Sequence, residues 1–322
     1  MSAMKQGNKL LVISVAAMGY ELLTKNNMLQ CGEVNFLPAA APFPSLTCCS
    51  QATFRTATPP AKHGIIANGI FRRDLRKALF WEQSANLVRG GRIWDDFSRK
   101  GSRVGMICWQ QSLGEHLDMV LSPAPIHKHI GGMISDCLTR PADLNETIRQ
   151  TLGKFPLKHY WGPLASEKSG QWIAMATEKI LQSPNAPELL MTYLPTLDYA
   201  LQRHGPNHSR SERAVDMLFL HMNKLIKAAR AAEYEVLIFG DYAIGEVSGT
   251  FEGSWDTLDE LDPPTAGDGA VDVDDESYSG ALALTAGPLD DEVGLLQLEL
   301  QVGGGRSFVV RIPVELSLVA GP

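Results

Sequence analysis

The chain has 322 residues, of which 44% are hydrophobic and 20% charged, with a mean hydropathy of −0.07. That balance excludes a wholly disordered, collagen-like or coiled-coil protein and leaves room for one large α/β domain or two smaller ones. The net charge of −7 is uneven: residues 251–322 carry −13, whereas residues 1–250 carry +6. All eight histidines and all five cysteines precede residue 251, so chemistry needing either belongs to the first part. The shift predicts an α/β domain over 1–250, an acidic linker over 251–282 and a β-hairpin segment over 283–322.

In chain order, Lys9–Met18 is an apolar run behind Lys5 that loosely imitates a secretory leader. No clean small-x-small cleavage site follows, and the run serves better as a first strand buried on both faces. The uncharged stretch Val34–Phe54 contains Pro38, Pro42 and Pro44, so it reads as an irregular loop and not a membrane span. Arg103–Trp109, Glu188–Leu194 and Glu235–Phe239 repeat the apolar strand pattern. Between them, Pro141–Leu152 begins with a helix-starting proline and early acids. The clearest helix is Ser209–Ala232, with Ala214, Leu218, Met222, Leu225 and Ala229 in one stripe.

Strands alternating with helices predict an α/β fold, a mostly parallel sheet with helices on both faces. Ligands of such folds bind beyond the carboxyl ends of the strands. That singles out Ala16–Ala17, Pro195–Asp198 and Gly240–Tyr242. Residues 110–170 hold Pro, Gly and His with weak periodicity and predict an inserted cap. Pro123 and Pro125 there put His127 and His129 in a loop. Downstream, Val293–Val302 and Arg306–Leu318 alternate in polarity around Gly303, Gly304 and Gly305, a hairpin pattern. Two strands alone are marginal in water, so the hairpin is expected to pack against something.

Thr47 stands just before a helix predicted to start near Ser50. Helix N-termini favour anions such as phosphate, although Ser50 as a simple cap and Thr47 as a packed loop residue is the plainer alternative. His63 and Asn68 flank a Gly-containing turn and could line a pocket, or His63 could be bonded within the turn. The cysteines are odd in number and form no CxxC, which predicts a reduced, cytoplasmic protein. Cys48 near a helix N-terminus could be a reactive thiolate, or it and Cys49 could be two small buried thiols. Trp94, Trp109, Trp161 and Trp172 read as core or cap packing. Scattered positive charge and an acidic tail argue against nucleic-acid binding.

One ordered set of motifs carries more. A first strand is followed by Pro44-Ser45-Leu46-Thr47, then His63-Gly64-Ile65-Ile66-Ala67-Asn68-Gly69, then Ile93-Trp94-Asp95, and after a later strand Leu194-Pro-Thr-Leu-Asp198-Tyr-Ala-Leu-Gln202-Arg-His204-Gly-Pro206. In order and spacing this resembles the type I phosphodiesterase/nucleotide pyrophosphatase family of the alkaline phosphatase superfamily, a divergent bacterial branch of it, over roughly residues 9–248. The resemblance implies an alkaline phosphatase-like core and hydrolysis of a phosphate ester or pyrophosphate. It further implies a threonine nucleophile that forms a covalent phospho-enzyme, assisted by divalent metal, usually zinc. Carried over by position, Thr47 is the nucleophile, and Asp198 and Asp241 are metal ligands. Ser50, His63, Asn68, Gln202, His204 and Tyr242 are possible lining residues.

The departures fall on the metal ligands. The first strand ends in Ala16 and Ala17 where the family has an aspartate. Gln202 stands where a histidine is expected four residues after Asp198, and Tyr242 stands for the histidine beside Asp241. No histidine follows His221, so the family's last ligand is also missing. The expected partner is a small phosphorylated substrate. The alternative is an inactive member that binds a phosphorylated metabolite or a protein.

Overall fold

The computed structural model describes residues 9–72, 75–127, 133–246, 282–283, 296–302 and 306–312. By contacts the chain divides into two compact units, Met1–Glu246 and Val247–Pro322. The first is built on a six-stranded sheet: β1 (Lys9–Val15), β2 (Val104–Ile107), β3 (Met119–His127), β4 (Met133–Arg140), β5 (Leu189–Leu194) and β6 (Tyr234–Gly240). Its order is β6-β1-β5-β2-β3-β4, parallel throughout except for β4, which runs antiparallel to β3. β1, β5 and β6 are therefore neighbours with their carboxyl ends at one edge of the sheet.

Side-chain alternation splits the core into two layers. Leu11, Ile13 and Val15 of β1 face a cluster with Leu190, Leu194, Trp172, Ile173, Leu218, Met222 and Leu225. Val12 faces the other way, with Met106, Met191, Trp94 and Trp109. The first layer is covered by α3 (Glu167–Leu181), α4 (Thr196–His204) and α5 (Ser209–Ala231), and α2 (Leu144–Leu152) packs on α3 and β4. On the second face, Phe54 of α1 (Thr47–Thr56) stacks on Phe239 of β6 at a centroid distance of 4.8 Å. α5 forms as its stripe predicts, with Leu218, Met222, Leu225 and Ala229 buried. Each large aliphatic side chain so buried contributes about 1.5–3 kcal/mol. The helix is capped by His208, whose Nδ1 accepts from the Arg210 N–H at 3.1 Å.

Residues 110–170 depart from the expected cap insertion, because 119–127 and 133–140 are two strands of the central sheet. The prolines of β3 are tolerated for a positional reason. Parallel pairing of β3 with β2 ends at Leu121, before Pro123 and Pro125. Two residues apart, both prolines turn their imide nitrogens toward the same edge, the one that β2 has vacated, so no ladder hydrogen bond is lost. His127 is thus the last residue of a strand and not part of a loop. His129 lies outside the described residues.

In the second unit, Leu296–Val302 and Arg306–Ile312 pair antiparallel, with Leu296 opposite Ile312 and Val302 opposite Arg306. Leu282–Ala283 adds a third strand against Leu300 and Glu299. The hairpin therefore has a strand partner along one edge. Gly303, Gly304, Gly305 and nearly all of the acidic stretch 251–282 lie outside the described residues.

Candidate active site

A cavity of about 290 Å³ lies at the carboxyl ends of β5 and β6, lined there by Tyr193, Pro195 and Tyr242. Thr47, Asn68, Tyr193, Asp198, Gln202 and Tyr242 line it, with Gln110, Tyr160, Trp161 and Arg203 among the further lining residues. Helix α1 begins at Thr47, three residues before the sequence-predicted start, with Leu46 at the N-cap. Its cap comes from a distance: the Asn68 side-chain oxygen accepts from the Cys48 N–H at 3.1 Å. Ser50 is thereby released from capping, and its hydroxyl donates to the Asp241 carbonyl at 2.7 Å, tying α1 to the end of β6.

Asp241, the residue before cavity-lining Tyr242, is itself buried, 1% exposed. Gly240 permits this position, since a Cβ there would meet the Met18 carbonyl oxygen at 2.1 Å. The Asp241 N–H donates to the Val15 carbonyl at 3.1 Å, and its Oδ1 accepts from the Ala17 N–H at 2.9 Å. Oδ2 makes no hydrogen bond within the described residues. Burial pushes the carboxyl up to about 7, against the opposing pull of the Ala17 N–H and the nearby Thr47 hydroxyl. The Thr47 hydroxyl is itself buried, 3.5 Å from the Tyr193 hydroxyl.

Asp198 occupies the first turn of α4 and is half-buried. Gln202, one turn on, donates from Nε2 to Oδ1 at 2.9 Å and to Oδ2 at 3.0 Å, while the Tyr242 hydroxyl donates to Oδ1 at 2.5 Å. Burial raises the Asp198 carboxyl above its ordinary value, partly offset by these two donors. Burial also holds the Tyr193, Tyr160 and Tyr242 hydroxyls well above the usual tyrosine value, so all three remain protonated at neutral pH.

Six of the sequence-predicted residues thus converge: Thr47, Asn68, Asp198, Gln202 and Tyr242 line the cavity, and Asp241 is buried next to Thr47. Three do not line it. Ser50 is taken up by the Asp241 carbonyl. His63 is fully buried in its turn, its Nε2 3.0 Å from the Thr53 hydroxyl and its Nδ1 accepting from the Ile65 N–H. His204, at the end of α4, stacks on His208 at 4.9 Å. Cys48 is buried, accepts from Gln111 Nε2 at 3.0 Å, and is pushed up to about 12 by desolvation, the opposite of a reactive thiolate. Trp94, Trp109 and Trp172 are core residues, whereas Trp161 lines the cavity.

Tyr193, Gln110 and Tyr160 carry no motif and were missed by sequence reasoning. Tyr193 had one signal, its place at the carboxyl end of the strand preceding Asp198.

The mostly parallel sheet, with helices on both faces and its cavity at the carboxyl edge, is an alkaline phosphatase-like fold. The chain matches the type I phosphodiesterase/nucleotide pyrophosphatase family over residues 10–291, and it belongs to that family. No curated protein matches it significantly in sequence. Among solved structures it is similar to phosphonoacetate hydrolase from Sinorhizobium meliloti in complex with phosphonoacetate. That likeness has 15% identity, covers 93% of this chain and 70% of the other, and gives a TM-score of 0.54. It is also similar to murine ectonucleotide pyrophosphatase/phosphodiesterase 5, an inactive form in complex with AMP. There the identity is 18%, covering 75% of this chain and 58% of the murine one, with a TM-score of 0.50. The chain thus spans less than two thirds of the murine protein. At these identities the likeness establishes the fold alone.

The family generally uses divalent metal, and the residues present do not fit a two-metal centre. Zinc takes three or four protein ligands, yet no group of three His, Cys, Asp or Glu suited to a metal exists among the described residues. Ala17 offers a backbone N–H where a carboxylate would be needed, and Gln202 and Tyr242 point hydrogens at Asp198. Among the described residues, no helix is long and apolar enough to cross a membrane.

Proposed function

We propose that this chain is a phosphoric-ester hydrolase acting on a small phosphate ester or pyrophosphate, with Thr47 as nucleophile and Asp241 as its base. The observation that carries the reading is the proximity of these two groups: a buried, cavity-lining hydroxyl acts on the Asp241 carboxyl, whose Oδ2 has no other partner among the described residues. In the reaction the Thr47 oxygen forms a bond to phosphorus as the bond to the leaving oxygen breaks, and the threonine proton passes to Asp241. Water then cleaves the phospho-threonine and restores the hydroxyl. Tyr193 and Asn68, which line the same cavity, would donate to the phosphoryl oxygens. Five buried free thiols accord with a reducing, cytoplasmic setting.

A second reading is an inactive member that binds a phosphorylated metabolite. The observation favouring it is the hydrogen-bonded state of Asp198, which resembles a site settled without metal. Hydrolysis of bis(4-nitrophenyl) phosphate separates the two. The hydrolase reading expects turnover that Thr47→Ala lowers by at least about 100-fold. No turnover by wild type above the uncatalysed rate would leave only the binding reading, and equal catalysed rates in wild type and Thr47→Ala would remove Thr47 from the reaction.

A further inference from the structure

Asn68 and Trp81 both line the cavity, and the Trp81 N–H donates to the Asn68 carbonyl at 3.0 Å. Between these two residues the chain forms a hairpin, with Gly69–Arg72 paired antiparallel to Lys77–Phe80. Alternation gives the hairpin two faces. Ile70 stands opposite Leu79, and it packs against the cluster of Cys48, Cys49, Ala52, Ile65 and Val88. Phe71 and Phe80 belong to the other face, opposite Ala78 and Gly69. A Cβ at Gly69 would meet the Phe80 ring at 2.7 Å, so the glycine leaves that ring room. Phe71, Leu75 and Phe80, with Ile66 just before the hairpin, are between 60% and 74% exposed. Among the described residues, only Leu37 and Leu164 are large apolar side chains exposed to that degree. Single exposed apolar residues are ordinary, whereas four within fifteen residues mark a contact surface. The same hairpin gathers charge. Residues 72–77 hold Arg72, Arg73, Arg76 and Lys77 against Asp74, a balance of +3, which is half of the +6 carried by residues 1–250.

We propose that this hairpin docks the protein on an anionic lipid surface, with its aromatic face in the headgroup boundary and its basic turn against the lipid phosphates. Aromatic side chains settle at that boundary, and cations beside it are drawn to an anionic leaflet. Charge and apolar surface act together, as in other proteins that lie on a membrane without crossing it. Leu75 decides between partners. It stands within the basic turn, exposed beside exposed Arg76. A nucleic-acid backbone would answer the cations and leave Leu75 in water, whereas a lipid surface answers both. Because the hairpin springs from Asn68 and Trp81, docking brings the rim of the cavity to the headgroups. The docking does not rest on the reaction assigned to that cavity.

The test is sedimentation of the full chain with vesicles of phosphatidylcholine alone and of phosphatidylcholine mixed with phosphatidylglycerol. Wild type should bind the anionic vesicles at least about tenfold more tightly than the neutral ones. Phe71→Ser/Phe80→Ser should weaken that binding at least about tenfold, and Arg76→Glu should do the same through charge. All three side chains are exposed, so both variants should keep the wild-type melting temperature. Should the double variant melt early, Leu75→Ser carries the apolar test alone and should weaken binding severalfold. No binding of wild type to anionic vesicles would overturn the proposal. Binding that Arg76→Glu weakens but neither apolar variant changes would reduce it to surface adsorption and overturn it as well. A single-stranded oligonucleotide held more tightly than the anionic vesicles, and released by Arg76→Glu, would assign the hairpin to nucleic acid instead.

Discussion

Two buried polar clusters lie within the first unit, and they are assembled on opposite principles. Arg55 is fully buried, yet its charge is answered: Nη1 donates to Glu115 at 3.3 Å and to the Gln111 carbonyl at 2.7 Å, and Nη2 donates to the Gln110 carbonyl. Arg92 closes the cluster on the same Glu115 oxygen at 2.8 Å. The carboxyls of half-buried Asp198 and buried Asp241, by contrast, meet no ion pair among the described residues. The first cluster joins α1 to the loop after β2, and its charged members Arg55, Arg92 and Glu115 do not line the cavity. The second adjoins a cavity lined by the Thr47 hydroxyl. A buried guanidinium that meets a carboxylate serves the fold, whereas carboxyls that lack a counter-ion beside a cavity are where a ligand is to be sought.

Breaking the paired cluster gives the largest effect on stability. Glu115→Ala leaves Arg55 and Arg92 with backbone carbonyls but no carboxylate, and urea denaturation should read a loss of about 3–5 kcal/mol. A smaller loss would mean that the backbone carbonyls of Gln110 and Gln111 suffice for Arg55.

The unpaired cluster should respond to pH instead. Asp241 has a folded value of about 7 against an ordinary 3.8. The folded state therefore binds its proton more tightly, and the stability linked to that proton is complete below about pH 4 and lost as pH rises through 7. Wild type should fall relative to Asp241→Asn across that window, by at most about 4 kcal/mol. Parallel pH profiles for the two proteins would show that Asp241 is not held in the uncharged form.

The smallest effect is expected outside both clusters. His204→Ala should leave stability within about 0.5 kcal/mol and probe hydrolysis unchanged, since the ring only stacks on His208. A clear loss of hydrolysis would return His204 to the site.

Much of this was legible in the sequence where a local pattern carried it. β1, β2, β5, β6 and α5 follow from apolar runs and one helical stripe, and parallel strands then oblige Thr47, Asp198 and Asp241 to meet at one edge. β3 was hidden because its two prolines look like loop residues until the short reach of β2 is known. The start of α1 was misplaced because its cap, Asn68, comes from twenty residues away. Arg55 and Glu115 lie sixty residues apart and have no spacing that announces a pair. Tyr193 and Gln110 are neutral residues whose role depends only on the cavity that other elements enclose.

The central claim is that Thr47 carries phosphoryl chemistry in the cluster that lacks a counter-ion. The most direct measurement is acid-quenched mass spectrometry of chelator-treated protein after brief reaction with bis(4-nitrophenyl) phosphate. The account predicts an aryl-phosphoryl adduct on the peptide containing Thr47, formed without added metal and missing from Thr47→Ala. Turnover with no adduct at Thr47, or an adduct that forms only when zinc is restored, would contradict it.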